Sequence, residues 1–192
     1  LYSLFQSKRC LKKVYTTIYL FQPSHSRGSM KDKLFDRLPD DQKYEELDWE
    51  NLTEVMERIR GADPKENIAI IFDDMTAYLK DGDVAKLLKE LVFNRRHLHT
   101  SIYFLCQTWF SVPKDLRKLF SNIFVFRVSK QELKTIFDET IEDKEKQEMV
   151  SEITKFVFDR PFEYLFINTD SQRLFKCWDE LVFSGDDDNN LT

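Results

Sequence analysis

Asn67-Ile68-Ala69-Ile70-Ile71-Phe72-Asp73-Asp74 is a run of β-forming apolar residues that ends in two adjacent carboxylates. Its length and β-branched composition predict a buried strand. Carboxylates at the mouth of such a strand are costly to desolvate, and neither has a cation beside it in sequence. A metal ion or a reacting water at that point would compensate them. The pattern is that of a Walker B strand. In such a strand the first acid, Asp73, holds Mg²⁺ directly or through water, and the second, Asp74, orients or deprotonates the water that attacks a γ-phosphate. A strand followed by an Asp-capped turn has the same local sequence, so the surroundings must decide.

Downstream, after a helix-like stretch from Asp83 to Asn94, a second apolar run, Ser101-Ile102-Tyr103-Phe104-Leu105-Cys106, ends in one polar residue, Gln107. In RecA-like ATPases the strand after Walker B lies between it and the phosphate-loop strand, so a polar residue at its end faces the γ-phosphate. A glutamine amide both donates to a phosphate oxygen and accepts from a water, which suits a sensor of ATP against ADP. A solvated Gln at a strand end is the alternative; the spacing from Asp73 favours the sensor.

The remaining chain supplies the other elements of an α/β fold. Val14 to Phe21 reads as a buried strand stopped by Gln22-Pro23-Ser24, and the polar stretch from Ser24 to Gln42 as an exposed loop. Asp48 caps a helix from Trp49 to Arg60 with Trp49, Leu52, Val55, Met56 and Ile59 on one face, and Gly61 stops it. Asp83 is the expected cap of the next helix, striped by Val84, Leu87, Leu88 and Leu91. A Pro113 turn, a short basic helix from Lys114 to Lys118 and a strand from Asn122 to Val128 follow. Ser129 and Glu132 form a capping box. Asp143 to Val157 reads as one helix with Met149, Val150, Ile153 and Phe156 inward. Phe162 to Asn168 and Arg173 to Trp178 read as a β-hairpin. Strands alternating with helices predict a mostly parallel sheet, with the hairpin as an antiparallel edge. The expected organisation is one domain over 1–183 and an acidic, disordered tail over 184–192.

Of the 192 residues, 42% are hydrophobic and 17 are Phe, ordinary globular composition and enough for a sizeable core. The net charge of −5 excludes a polycation, so any nucleic-acid contact must be local. Lys8, Arg9, Lys12 and Lys13 could track DNA phosphates or merely solvate a surface. Cys10, Cys106 and Cys177 are odd in number and widely spaced, which argues against a disulfide scaffold or zinc site and for a reducing compartment. No stretch approaches the roughly 18 apolar residues of a membrane span, and no signal peptide is visible. A soluble, intracellular protein is expected. The four glycines, at 28, 61, 82 and 185, form no Gly-x-x-x-x-Gly-Lys-Ser/Thr loop. Leu1 opens in what reads as mid-helix, so the phosphate-binding Walker A segment is expected upstream; its genuine loss from a degenerate copy is the alternative.

Ile68 to Met75, then Phe93 to Gln107 with its Arg95-Arg96-His97 run, then Val112 to Arg117 resemble the genome-packaging ATPases of nucleocytoplasmic large DNA viruses and polinton-like elements, in the FtsK/HerA branch of RecA-like P-loop ATPases. The resemblance covers Val14 to Trp178. It implies a RecA-like (ASCE) core lacking its Walker A segment, ATP and Mg²⁺ as ligands, Asp73 on Mg²⁺, Asp74 as the catalytic acid and Gln107 as sensor. It implies an arginine donated across a subunit boundary, for which Arg96 and Arg117 are the candidates, either of which could instead make a structural ion pair or a helix cap. It further implies double-stranded DNA as substrate, a homo-oligomeric ring of five or six subunits, capsid or portal-vertex partners, and a location at a viral assembly site or in the virion. A cellular or plasmid-borne DNA translocase would share the site. A non-catalytic scaffold on a degenerate ATPase fold is the rival from another class.

Overall fold

The computed structural model describes residues 1–8, 10–27 and 35–183, so Arg9 and the acidic stretch 184–192 lie outside the described residues. The chain forms two compact units: Leu1–Gln107 with Ser111–Leu116, and Thr108–Phe110 with the chain from Arg117 onward.

The first unit begins with α1 (Tyr2–Gln6), β1 (Thr17–Phe21) and α2 (Ser24–Arg27), then β2 (Lys43–Tyr44), α3 (Trp49–Arg60), β3 (Ile68–Asp73), α4 (Gly82–Asn94) and β4 (Thr100–Leu105). The short helix α5 (Lys114–Arg117) follows across the unit boundary. The four strands form a parallel sheet in the order β2-β1-β3-β4. Ile68 to Phe72 are each at most 2% exposed, the two-sided burial expected of a central parallel strand.

The connections from β2 to β3 through α3 and from β3 to β4 through α4 run the same way across the sheet. Right-handed crossovers therefore put both helices on one face, where they pack on each other. The step from β1 to β2 runs the opposite way, which places the described residues leading into β2, from Phe35 onward, on the other face. There Phe35 and Phe5 of α1 close over Leu20, Ala69 and Ile71. The segment from Ser24 to Gln42, expected as an exposed loop, thus contributes a core anchor. Across all four strands, Tyr44, Phe21, Phe72 and Phe104 stack in one row with centroids 4.8, 5.1 and 4.9 Å apart.

Several boundaries move for identifiable reasons. Asp48 caps α3 by accepting from the Asn51 N–H at 2.7 Å, and Leu52, Val55, Met56 and Ile59 are buried. Trp49 is 53% exposed: a helical side chain leans toward the N-terminus, so at the first position it projects past the helix end. The cap of α4 is Asp81 rather than Asp83; Asp81 Oδ1 accepts from the Asp83 and Val84 N–H groups at 2.9 and 3.2 Å. Asp83 then lies in the first turn, where a carboxylate complements the positive helix end.

The second unit holds β5 (Asn122–Val125), α6 (Lys130–Thr140), α7 (Lys144–Glu148), α8 (Val150–Val157), β6 (Leu165–Asn168), β7 (Arg173–Lys176) and β8 (Asp179–Glu180). The hairpin forms as β6 and β7, and β5 pairs with it in a separate antiparallel sheet of order β5-β6-β7-β8. Ile123, Val125, Leu165, Ile167 and Leu174 pack on Leu133, Ile136, Phe137, Ile153 and Val157. The other face carries Phe124, Phe166 and Phe175, stacked at 4.7 and 5.1 Å. The strand expected over 122–128 ends at Val125, and Phe124 is 39% exposed.

Ser129 Oγ accepts from the Glu132 N–H at 3.2 Å, but the Glu132 carboxylate accepts from the Trp109 N–H instead of completing a capping box. The expected helix over 143–157 breaks at Met149 into α7 and α8. Phe156 is 60% exposed, with Lys176 Nζ 4.7 Å above its ring. No described helix is long and apolar enough to cross a membrane.

Candidate functional site

Because the strands of the first unit are parallel, their C-terminal ends share one rim, the usual ligand side of an open α/β sheet. Gln22 follows β1, Asp73 ends β3 with Asp74 next, and Gln107 lies two residues beyond β4. An open cleft of about 470 Å³ borders this rim, lined among others by Ser24, Glu45, Glu46, Asp74, Thr76 and Tyr78.

Asp73 is half-buried, and its Oδ2 accepts from Gln22 Nε2 at 2.6 Å. Gln22 itself is 2% exposed. The contact follows from register: Phe21 faces Phe72 across β1 and β3, so the next residues, Gln22 and Asp73, are neighbours on the opposite face. Burial pushes the Asp73 carboxyl above its ordinary range; the Gln22 hydrogen bond works against that shift, and the Asp74 charge adds to it.

Asp74 leaves the strand with φ 58°, a left-handed conformation that Asp tolerates better than most residues. Its N–H donates to the Leu105 carbonyl at 3.2 Å, and its Oδ1 accepts from Gln107 Nε2 at 3.2 Å. The turn redirects the second acid to the exposed Gln107 and the cleft. The structure therefore brings Asp73, Asp74 and Gln107 to one rim.

Among the described residues no cation pairs with either carboxylate, and no three His, Cys, Asp or Glu side chains converge as a metal cage. Zn²⁺ and Ca²⁺ sites need such a cage. Mg²⁺ bound with a nucleotide does not: one or two carboxylates suffice when phosphates and waters complete the shell. Asp73 fits that donor set.

The arginines lie elsewhere. Arg96 is exposed in the turn between α4 and β4, at the N-terminal end of the sheet, about 20 Å of strand from the acids. His97 and His99 belong to the same turn; β4 begins at Thr100. Arg117 is 8% exposed, 3.3 Å from Glu139 and with its guanidinium 5.3 Å from the Trp109 ring centroid. Trp109 Nε1 donates to the same Glu139 at 2.8 Å. Arg117 is a core ion-pair residue of the second unit, the structural alternative that its sequence position left open.

Gln22, Glu45 and Glu46 escaped the sequence reading. Gln22 was legible in principle, because it ends an apolar strand just as Gln107 follows one. Glu45 and Glu46 follow a strand of two residues, too short to carry a periodic signal.

The family model for the Poxvirus A32 protein matches residues 1–180. Among solved structures, B204, the DNA-packaging ATPase from Sulfolobus turreted icosahedral virus, is similar over 86% of this chain and 83% of its own, with TM-score 0.62 and 15% identity. The genome packaging NTPase B204 from Sulfolobus turreted icosahedral virus 2 is similar over the same shares: its complex with AMP has TM-score 0.57 and 14% identity, and its complex with AMPPCP has 0.55 and 15%. At such identities the likeness is one of fold. No curated protein sequence matches the chain. The match over 1–180 spans nearly the whole sequence, and the chain belongs to the Poxvirus A32 protein family.

Proposed function

We propose that this chain is the catalytic core of a viral genome-packaging NTPase that hydrolyses ATP to drive double-stranded DNA into a capsid. The observation that carries the reading is the meeting of Asp74 and Gln107 at 3.2 Å, the second acid of β3 and the polar residue beyond β4. Membership of the Poxvirus A32 family and the fold shared with B204 support packaging as the setting, and the AMP and AMPPCP complexes of B204 support a nucleotide ligand.

In the proposed mechanism Asp73, oriented by Gln22, would hold Mg²⁺. When bound, that ion would neutralise charge on the β- and γ-phosphate oxygens. Asp74 would accept a proton from the attacking water or hold it in line, and Gln107, bonded to Asp74 before nucleotide arrives, would exchange that bond for one to a phosphate oxygen. The phosphate cradle would come from a Walker A segment ahead of Leu1 in the complete reading frame. Exposed Lys8, Lys12 and Lys13 would supply local DNA contacts on a chain of net charge −5.

DNA-stimulated ATP hydrolysis by the product of the complete reading frame, beside the 192-residue chain, tests the reading. Activity in the longer form alone is expected. Silence of both, with and without duplex DNA, would favour a scaffold that kept the fold without the motor.

A ring of five or six subunits would let a cation act across a boundary. Arg96, exposed and remote from its own protomer's acids, is the proposed donor, whereas Arg117 would have to abandon Glu139. Arg96→Ala should lower turnover by about 10³-fold or more. Mixing Arg96→Ala with Asp74→Asn subunits should restore part of it, since some boundaries then pair an intact arginine with an intact acid. Mixtures that stay inactive would remove Arg96 from this role.

A further inference from the structure

We infer that Gln22 is the positioning residue for Asp73, a neutral donor that fixes the carboxylate's orientation for a divalent cation without neutralising it; this rests on the site reading above. Three observations converge on it. Gln22 is almost wholly buried, at 2% exposure, so its amide is committed to the protein interior. Its Nε2 lies 2.6 Å from Asp73 Oδ2, a short hydrogen bond to a carboxylate oxygen. Its backbone N–H donates to the Tyr44 carbonyl at 2.9 Å. Gln22 is therefore tied to β2 through its backbone and to β3 through its side chain, and the rigidity of the sheet passes to the Asp73 carboxyl.

The residue type is what this task requires. A lysine or arginine in this place would pair with Asp73 and compete with a metal for its charge. A glutamate would set a second anion against it. An apolar residue would leave the carboxyl free to rotate. The amide alone engages one oxygen, Oδ2, and retains the full negative charge of the group for a cation. Partners that orient a metal-binding carboxylate in this way typically alter metal affinity by about 10- to 100-fold when removed.

The test uses the complete reading frame with Gln22→Leu, which removes the donor, and Gln22→Asn, which shortens the side chain so that its amide no longer reaches Asp73. Mn²⁺ binding in the presence of a non-hydrolysable ATP analogue is read from the electron paramagnetic resonance signal of free Mn²⁺. The Mg²⁺ concentration for half-maximal hydrolysis is read alongside, together with nucleotide affinity without divalent metal. Both variants should weaken Mn²⁺ binding and raise the Mg²⁺ requirement about tenfold or more, with metal-free nucleotide affinity unchanged. Wild-type metal dependence in the folded fraction of either variant would overturn the inference, because a residue that only stabilises the sheet changes how much protein is active and not how that protein binds metal. Asp73→Asn separates the two levels. If it abolishes Mn²⁺ binding while the Gln22 variants do not weaken it, Gln22 alone is wrong; if Asp73→Asn leaves binding intact, the site reading falls and the Gln22 inference with it.

Discussion

Asp74→Asn in the protein from the complete reading frame is expected to lower ATP turnover by about 10²- to 10⁴-fold, the range for loss of a positioned general base, with nucleotide affinity nearly unchanged. The substitution is close to isosteric. Asn tolerates the left-handed backbone at φ 58°, and its side-chain oxygen can still accept from Gln107 Nε2. Asp73 and its Gln22 partner are untouched, so metal and phosphate contacts should survive. What is lost is the negative charge and proton-accepting capacity at the rim. Single-turnover hydrolysis measured beside equilibrium binding of a fluorescent ATP analogue separates these quantities. Undiminished turnover would take Asp74 out of the mechanism and leave the β3 acids as a capped turn.

Phe72→Ala should destabilise the protein by about 3–5 kcal/mol, as truncation of a buried Phe does when the cavity cannot collapse. Phe72 is 1% exposed and stacks between Phe21 at 5.1 Å and Phe104 at 4.9 Å, in the middle of the row that crosses the parallel sheet. Against a typical total stability of about 5–15 kcal/mol, such a loss would leave the first unit marginal. It would also release Asp73, the next residue. Phe162, by contrast, is 94% exposed, and Phe162→Ala should fall within about 0.5 kcal/mol of the parent. Urea denaturation followed by fluorescence and circular dichroism reads both. A Phe72 penalty no larger than that of Phe162 would mean that the aromatic row does not hold the sheet together.

The parts of the fold that were legible are those whose signal is local. An apolar run of strand length predicted β3, a cap with 3.6-residue periodicity predicted α3, and a turn between alternating segments predicted the hairpin of β6 and β7. Misreadings arose where a local pattern had two solutions. Asp81 and Asp83 are both plausible caps two residues apart, and the backbone chose Asp81. Phe156 fits an inward stripe but lies under Lys176, where a cation can rest on its ring. The strand expected over 122–128 ends at Val125, where pairing with β6 stops at Leu165.

The sequence by itself determined that a buried strand would end in Asp73 and Asp74, and that a second strand would lead to Gln107. Side-chain periodicity and the cost of burying carboxylates are properties of the chain itself. Only the tertiary structure decided that Gln22, 51 residues from Asp73, would hold that carboxylate, and that Arg117 would be spent on Glu139 in the core of the second unit. Both are partnerships between distant segments, set by strand register and helix packing, and no short stretch of sequence contains the geometry that brings such partners within hydrogen-bonding distance.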